Sequence, residues 1–338
     1  MAQERATLTQ TWDSILKEEI EFFKSQEASL SLAFGPQPLE LVAHALRVIL
    51  HIGAVEEYRS AFGALAACQR PDGGWGSETT SPESGVWVTA FCALMLLRGN
   101  RRLRSDSIER VIHRAIDFFL ERQQGDGRWI DSPLWTDLDA TSHPVSFFHV
   151  VRAFRGTYRR LDVDRAWESG LRYIVEHQDP DGGWYSPRFR PTGAVVASGS
   201  PIEMTAHILQ DSIVGDLLME NRFKLKEQAV KAIRWLVERQ SPDGSWDYQN
   251  TDHTMDSTRS LMLATRVLGE SSYEQAIQKA IRWIVANRHS QHGWGDFPGD
   301  APNLERLCDG LDTLLKFKVY QEGDPARLAA LWGFVDAG

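Results

Sequence analysis

An all-α fold, a closed (α/α)6 barrel of helical hairpins in a single domain, is predicted by three features of the sequence. A Gln–Gly–Trp block recurs along the chain, apolar positions between the blocks follow helical spacing, and strand-like alternation is nearly absent. The blocks run from Gln69 to Trp75, Gln123 to Trp129, Gln178 to Trp184 and Gln240 to Trp246. In the fifth, Arg288 takes the Gln place and Trp294 ends the block. Successive Trp residues lie 54, 55, 62 and 48 residues apart, a period that marks a repeat architecture.

Each unit reads as an apolar inner helix, a polar turn, an amphipathic outer helix and then the block. Val86 to Leu97 is apolar almost all round, as suits a helix buried on most sides. Ile108, Val111, Ile112, Ala115, Ile116, Phe119 and Leu120 then follow the i, i+3, i+4, i+7 pattern of a half-buried helix. The inner helices are expected over about 39–52, 86–98, 140–155, 201–218, 256–268 and 302–317. The outer ones fall at about 55–67, 107–122, 163–177, 225–239 and 272–287, with 325–335 as candidate for the sixth. Residues 1–35 form a helical extension, in which segment 8–34 adds a helix across one end, and residues 36–338 form the barrel. ProAspGlyGly and GlnGlyAspGly supply the stops and turns. The block Gln can satisfy carbonyls at a helix end or N–H groups of the next helix. The Trp can lie over that end with its indole N–H on an acceptor, so these Trp residues belong to the outer wall.

The composition narrows the function. A net charge of −9 argues against nucleic acid as a partner, because phosphate binding needs a basic face. Three cysteines without paired spacing, Cys68, Cys92 and Cys308, exclude a disulfide framework or a zinc knuckle. No apolar signal core opens the chain and no run reaches membrane-spanning length, so a soluble cytoplasmic protein is expected. Peripheral contact with a membrane surface stays open.

The blocks, with AlaIleAspPhePheLeuGluArgGln…GlyArgTrp and AlaIleArgTrpLeuValGluArgGln…GlySerTrp around them, resemble the QW repeats of the squalene–hopene cyclase, oxidosqualene cyclase and class II terpene cyclase superfamily. A weaker relation is to protein prenyltransferase β subunits. The resemblance covers roughly residues 40–320 and is more specific for the ring than for an activity. It implies a terpene cyclase of isoprenoid biosynthesis, an isomerase or lyase using general acid catalysis.

Comparison of the residues after each Trp isolates carboxylates at inner-helix starts. Thr141 and Thr258 each follow their Trp by 12 residues and each has an Asp two residues earlier, Asp139 and Asp256. Glu203–Thr205 and Trp87–Thr89 are read as the equivalents in two other units. Asp139, Glu203 and Asp256 would then share one rim of the cavity. Helix capping is the competing reading for Asp256 and Glu203. Asp137–LeuAsp139–AlaThr141 resembles the AspXAspAspThr motif of class II cyclases, with Ala140 in place of the third Asp. The resemblance implies that Asp139 is the proton donor to an alkene or epoxide and Asp137 a polarising neighbour, with Asp256 the third candidate catalytic residue. His143 is a candidate to hydrogen-bond or reload the acid.

Trp87, Phe91, Trp135 and Phe147 are candidate aromatic walls for a developing cation, beside His143 and Glu203. His149 and His207 fall on inner helices and read as buried, satisfied histidines. Arg152, Arg155, Arg188, Arg190 and Arg259 are candidate contacts for a diphosphate, though most read as surface charges. No metal site is expected; the zinc triad of protein prenyltransferases is not evident, and Cys308–Asp309 stands alone. No cofactor is expected either, Mg2+ entering only with a diphosphate-bearing substrate. The expected function is protonation-initiated cyclisation of a linear isoprenoid or prenyl diphosphate. The alternative is a non-catalytic ring that binds an isoprenoid or a partner and needs a second subunit to complete its site.

Overall fold

The computed structural model describes residues 2–26, 38–78, 81–131, 137–154, 157–185, 200–219 and 221–334. Among them the chain is helical, with three isolated β-bridges and no strand. The helices are α1 (Ala2–Ser25), α2 (Leu39–Ile52), α3 (Arg59–Ala67), α4 (Val86–Leu103), α5 (Asp106–Arg122), α6 (Asp137–Ala153) and α7 (Arg160–Glu176). Then come α8 (Pro201–His207), a π-helical turn (Ile208–Ile213) that runs into α9 (Val214–Met219), and α10 (Lys226–Glu238). The last are α11 (Thr251–Leu268), α12 (Glu274–Ala286), α13 (Leu304–Glu322) and α14 (Pro325–Trp332). Around the axis α2, α4, α6, the α8–π–α9 element, α11 and α13 each pack on the next, and α13 packs back on α2. The inner ring is therefore closed.

The blocks form the outer seam. In all five the Trp indole N–H donates to the carbonyl ten residues earlier, at 2.8–2.9 Å, and the ring is fully buried. In the first four the Gln amide donates twice. One bond goes to the block glycine's carbonyl and one reaches the next outer helix: Val111, Ala166, Gln228 and Ala276 in turn. Glycine is required here. Gly73, Gly127, Gly182 and Gly244 have φ between +87° and +104°, and a Cβ on each would meet a carbonyl oxygen of the next outer helix at 2.3–2.5 Å.

The fifth block departs for a structural reason. Its neighbour is α1, from the other end of the chain. Arg288 pairs with Glu18 at 3.0 Å and with the buried Glu19, while Glu19 also accepts from the Gly293 N–H at 3.0 Å. A guanidinium replaces the amide because a carboxylate replaces the carbonyl. Trp12 of α1 meets Phe317 of α13 edge-on at 5.3 Å. The two chain ends thus exchange the places expected of them: α1 takes the sixth outer position and α14 closes one end of the ring.

That plug is bonded to four inner elements. The Leu331 carbonyl lies 2.8 Å from His51 Nε2 of α2 and accepts from Arg98 of α4 at 2.9 Å. The Trp332 indole donates to Gln210 of the π turn at 3.1 Å, and Lys316 of α13 lies over the Trp332 ring at 3.8 Å.

Candidate active site

All six inner elements and the α14 plug line one central cavity of 350 Å3. Its outer mouth is set by the N-terminal ends of the inner helices. There the backbone N–H of the Trp in each of the first four blocks donates to a threonine hydroxyl: Thr89, Thr141, Thr205 and Thr254, at 2.9–3.0 Å. These bonds fix the register between units, and they correct the sequence comparison. Thr254, not Thr258, is the equivalent of Thr141. The loop after Trp246 is four residues shorter than after Trp129, one helical turn, and α11 starts one turn before the expected 256. Asp252 is therefore the counterpart of Asp139 and Glu203, while Asp256 lies one turn deeper, level with Phe91, His143 and His207.

Asp139 sits in the first turn of α6, where the helix dipole favours a carboxylate. It is buried, 6% exposed, and does not stand on the cavity rim as expected: it lies behind His143 and His207, which line the cavity. Its Oδ1 lies 3.5 Å from His207 Nδ1 and 3.6 Å from His143 Nε2. His207 Nε2 lies 3.1 Å from Asp256, and Asp256 forms a short ion pair with the buried Arg259. Burial alone would raise Asp139, but the His143 and His207 rings beside it outweigh burial and hold the carboxyl well below the usual range. Burial alone would lower His207, but Asp256 and Asp139 on either side raise it well above its ordinary value. Asp256 is likewise held low, against burial, by Arg259 and His207. The sum is an imidazolium clamped between two carboxylates at the ring wall.

Other expectations meet the geometry unevenly. Trp87, Phe91, His143 and Glu203 line the cavity. The Trp87 ring lies 6.0 Å from His143, and Glu203 pairs with His253 at 3.3 Å. Asp137 is not a neighbour of Asp139: it points outward and pairs with Arg128 at 2.8 Å. Two residues along a helix turn about 200°, so the AspXAsp pair cannot present both carboxyls to one side. Phe147 is fully buried against Phe119 and Phe148 and is a core residue, not a wall. Trp135, Arg155, Arg188 and Arg190 lie outside the described residues. Arg152 is buried, pairs with Asp164 at 2.6 Å and lies over Trp167 at 3.7 Å; neither it nor Arg259 is a surface charge.

Several residues that line the cavity or lie behind its wall were not singled out from the sequence as site residues. Asp252 pairs with Arg306 at 2.7 Å, yet burial and the charges of Asp256 and Asp309 push its carboxyl well above the ordinary value. Asp211 lies on the π turn, and burial raises its carboxyl too. Asp309 and Asp312 of α13 are buried and hold Arg47 at 2.5 and 3.3 Å; Asp312 also holds Lys316 at 2.9 Å. Burial lowers Lys316 to about 7. The signal for α13 was present: AspGlyLeuAsp puts Asp309 and Asp312 three residues apart on one face of an inner helix.

A closed α/α ring with an acid–imidazole cluster at one mouth and aromatic rings beside it defines a toroid of the prenyltransferase and terpene cyclase class. The chain belongs to the prenyltransferase alpha-alpha toroid domain family, which it matches over residues 41–245, more than half its length. Residues 193–308 also match the squalene-hopene cyclase C-terminal domain. It is 28% identical over 272 residues to a drimenyl diphosphate synthase of Streptantibioticus cattleyicolor, covering 74% of this chain and 45% of that protein. It is 26% identical over 256 residues to a squalene–hopene cyclase of Alicyclobacillus acidocaldarius, covering 67% of this chain and 35% of that protein. The chain thus spans less than half the length of these relatives. Among solved structures, a type II terpene cyclase from Scytonema in complex with geranylgeranyl dihydroxybenzoate has a TM-score of 0.66 at 12% identity, covering 93% of this chain and 99% of the other. A polysaccharide lyase has a TM-score of 0.65 at 10% identity, so the ring alone does not select a reaction.

Proposed function

We propose that the protein is a class II-type terpene cyclase, in which Asp139 protonates a terminal alkene or epoxide of a linear isoprenoid. The observation that carries this reading is the position of Asp139, buried behind His143 and His207 at the wall of a cavity that Trp87 and Phe91 also line. Alkene protonation needs an acid whose conjugate base is stabilised in advance. The His207 imidazolium supplies that stabilisation, and Arg259 holds Asp256 so that His207 keeps its place. A strong acid is also a poorly loaded one. His143 is the group positioned to return a proton to Asp139 between turnovers. The alkene takes the proton at the cavity wall, and the carbocation forms beside the rings of Trp87 and Phe91. The α14 plug closes the far end of the cavity and keeps bulk water out.

A cavity of 350 Å3 is near the lower end of the range for ligand pockets, roughly 300–1,000 Å3, and favours a C15 chain over a triterpene. The Scytonema enzyme, with 99% of its length matched by this one ring, supports a ring that works without a second domain. The second reading is a ring that binds isoprenoid and needs a partner subunit. Incubation of the purified chain with C15 and C20 prenyl diphosphates and with squalene, followed by mass spectrometry of the products, separates the two. Cyclic product from wild type and none from Asp139→Asn supports the acid. Binding without product from either protein supports the partner-dependent ring.

A further inference from the structure

We propose that Asp139, His143 and His207 also form a binding site for a divalent cation of the zinc class. The three residues come from two helices, α6 and α8, and each offers one ligand atom. All three atoms lie within 4.8 Å of one another. The two distances to Asp139 Oδ1, 3.5 Å from His207 and 3.6 Å from His143, match the edges of a zinc tetrahedron. Bonds of about 2.0–2.2 Å to nitrogen and oxygen put neighbouring ligand atoms about 3.3–3.5 Å apart. Two of the three edges therefore need little movement to close on an ion, and the third is at most 4.8 Å.

Two further observations favour a cation. His143 Nε2 is buried and meets Asp139 Oδ1 only at 3.6 Å, too far for a hydrogen bond. A buried ring nitrogen that makes no hydrogen bond is costly, and a metal ion between the two atoms would satisfy it. The outer side of the site is also built. His207 presents Nδ1 to Asp139 and Nε2 to Asp256 at 3.1 Å, the carboxylate–histidine arrangement that fixes the tautomer of a metal-bound imidazole. Arg259 in turn pins Asp256. Two imidazoles and one carboxylate suit Zn2+ or Co2+ and not Mg2+, which prefers six oxygens. With three protein ligands the fourth position opens towards the cavity, as in zinc sites that accept water or substrate.

Filling the site replaces the proton between Asp139 and His207 by the metal. Ion and catalytic proton then exclude one another, and a zinc-class ion inhibits cyclisation. This consequence rests on Asp139 being the acid; occupancy itself does not.

The test uses the full chain, stripped with chelator and titrated with Co2+. We expect one Co2+ per chain with the strong visible bands of a four- or five-coordinate ion, displaced by Zn2+ and not by Mg2+. Substituting His143→Ala or His207→Ala should weaken binding at least about tenfold. Circular dichroism confirms that each variant keeps its helices, and His143→Gln serves if alanine unfolds the ring. Co2+ that keeps its pale six-coordinate spectrum overturns the proposal. So does binding unchanged in the folded double variant His143→Ala/His207→Ala, which would place the ion elsewhere. Full turnover with the site filled supports the site and removes Asp139 as the acid, so the two readings fail separately.

Discussion

The outer seam and the inner mouth are built from the same repeat, yet they have diverged to opposite degrees. On the seam every Trp makes the same indole bond, and four Gln residues make the same pair of bonds. At the mouth the residue two places before the anchoring threonine is Trp87, Asp139, Glu203 or Asp252. One turn deeper it is Phe91, His143, His207 or Asp256. The seam has one mechanical task repeated around the ring, so the same chemistry serves each time. The mouth is one site assembled from six helices, so each helix supplies a different group. Uniformity marks the frame and divergence marks the site.

The largest expected effect tests the mouth. Asp139→Asn should reduce turnover by about 10²–10⁴-fold, as for loss of a general acid, with helicity unchanged by circular dichroism. Asp252→Asn, its counterpart across the ring, should reduce turnover far less. A greater loss in the Asp252 variant would move the acid to the other side of the cavity.

On the seam the effects should fall on stability. Trp246→Ala removes a fully buried indole and should cost about 3–5 kcal/mol in urea unfolding, with turnover per folded molecule nearly kept. A folded but inactive variant would mean that the seam takes part in chemistry. Arg288→Ala leaves the buried Glu19 without its main counter-ion and should cost about 3 kcal/mol. Limited proteolysis should then release α1 first, since that helix carries Glu19. Unchanged resistance at α1 would show that Trp12 and its apolar neighbours dock the helix unaided.

A smaller effect tests the register. Thr254→Val strands the Trp246 backbone N–H and should cost about 1–3 kcal/mol. Thr258→Val should cost less, because that hydroxyl only donates to a helix carbonyl, Thr254, at 2.6 Å. The reverse order would restore Thr258 as the anchor and Asp256 as the partner of Asp139.

The smallest effect is electrostatic. His253 lies 2.7 Å from Asp247 and 3.3 Å from Glu203. Burial would lower it, but the two carboxylates raise it to about 10, from an ordinary 6.5. A histidine raised in the folded state stabilises fully below its unfolded value, and that contribution is lost as pH rises through the folded value. The window is therefore pH 6.5 to 10. With the pair at the rim, screened by water, the contribution should be about 1 kcal/mol. Thermal unfolding of wild type and His253→Gln across that window should converge at its alkaline end; parallel curves would remove His253 as the source.

The sequence by itself determined the ring, the two helix layers and the seam. Those depend on local patterns: helical spacing, glycine at the turns and a Trp ten residues after its acceptor carbonyl. It also picked out Asp139 as a carboxylate at an inner-helix start, and Trp87, Phe91, His143 and Glu203 as cavity residues. Tertiary structure decided what spacing could not. A loop four residues shorter moved Asp252 into the place expected of Asp256. Helical rotation turned Asp137 outward to Arg128 and left Phe147 in the core. Closure put α1 in the outer layer and α14 across the end of the ring. His207 acquired its role only when α8 came between α6 and α11, setting one imidazole between Asp139 and Asp256. Register across a loop and contacts between chain ends are long-range quantities, fixed by the hydrogen bonds and ion pairs made when the ring closes.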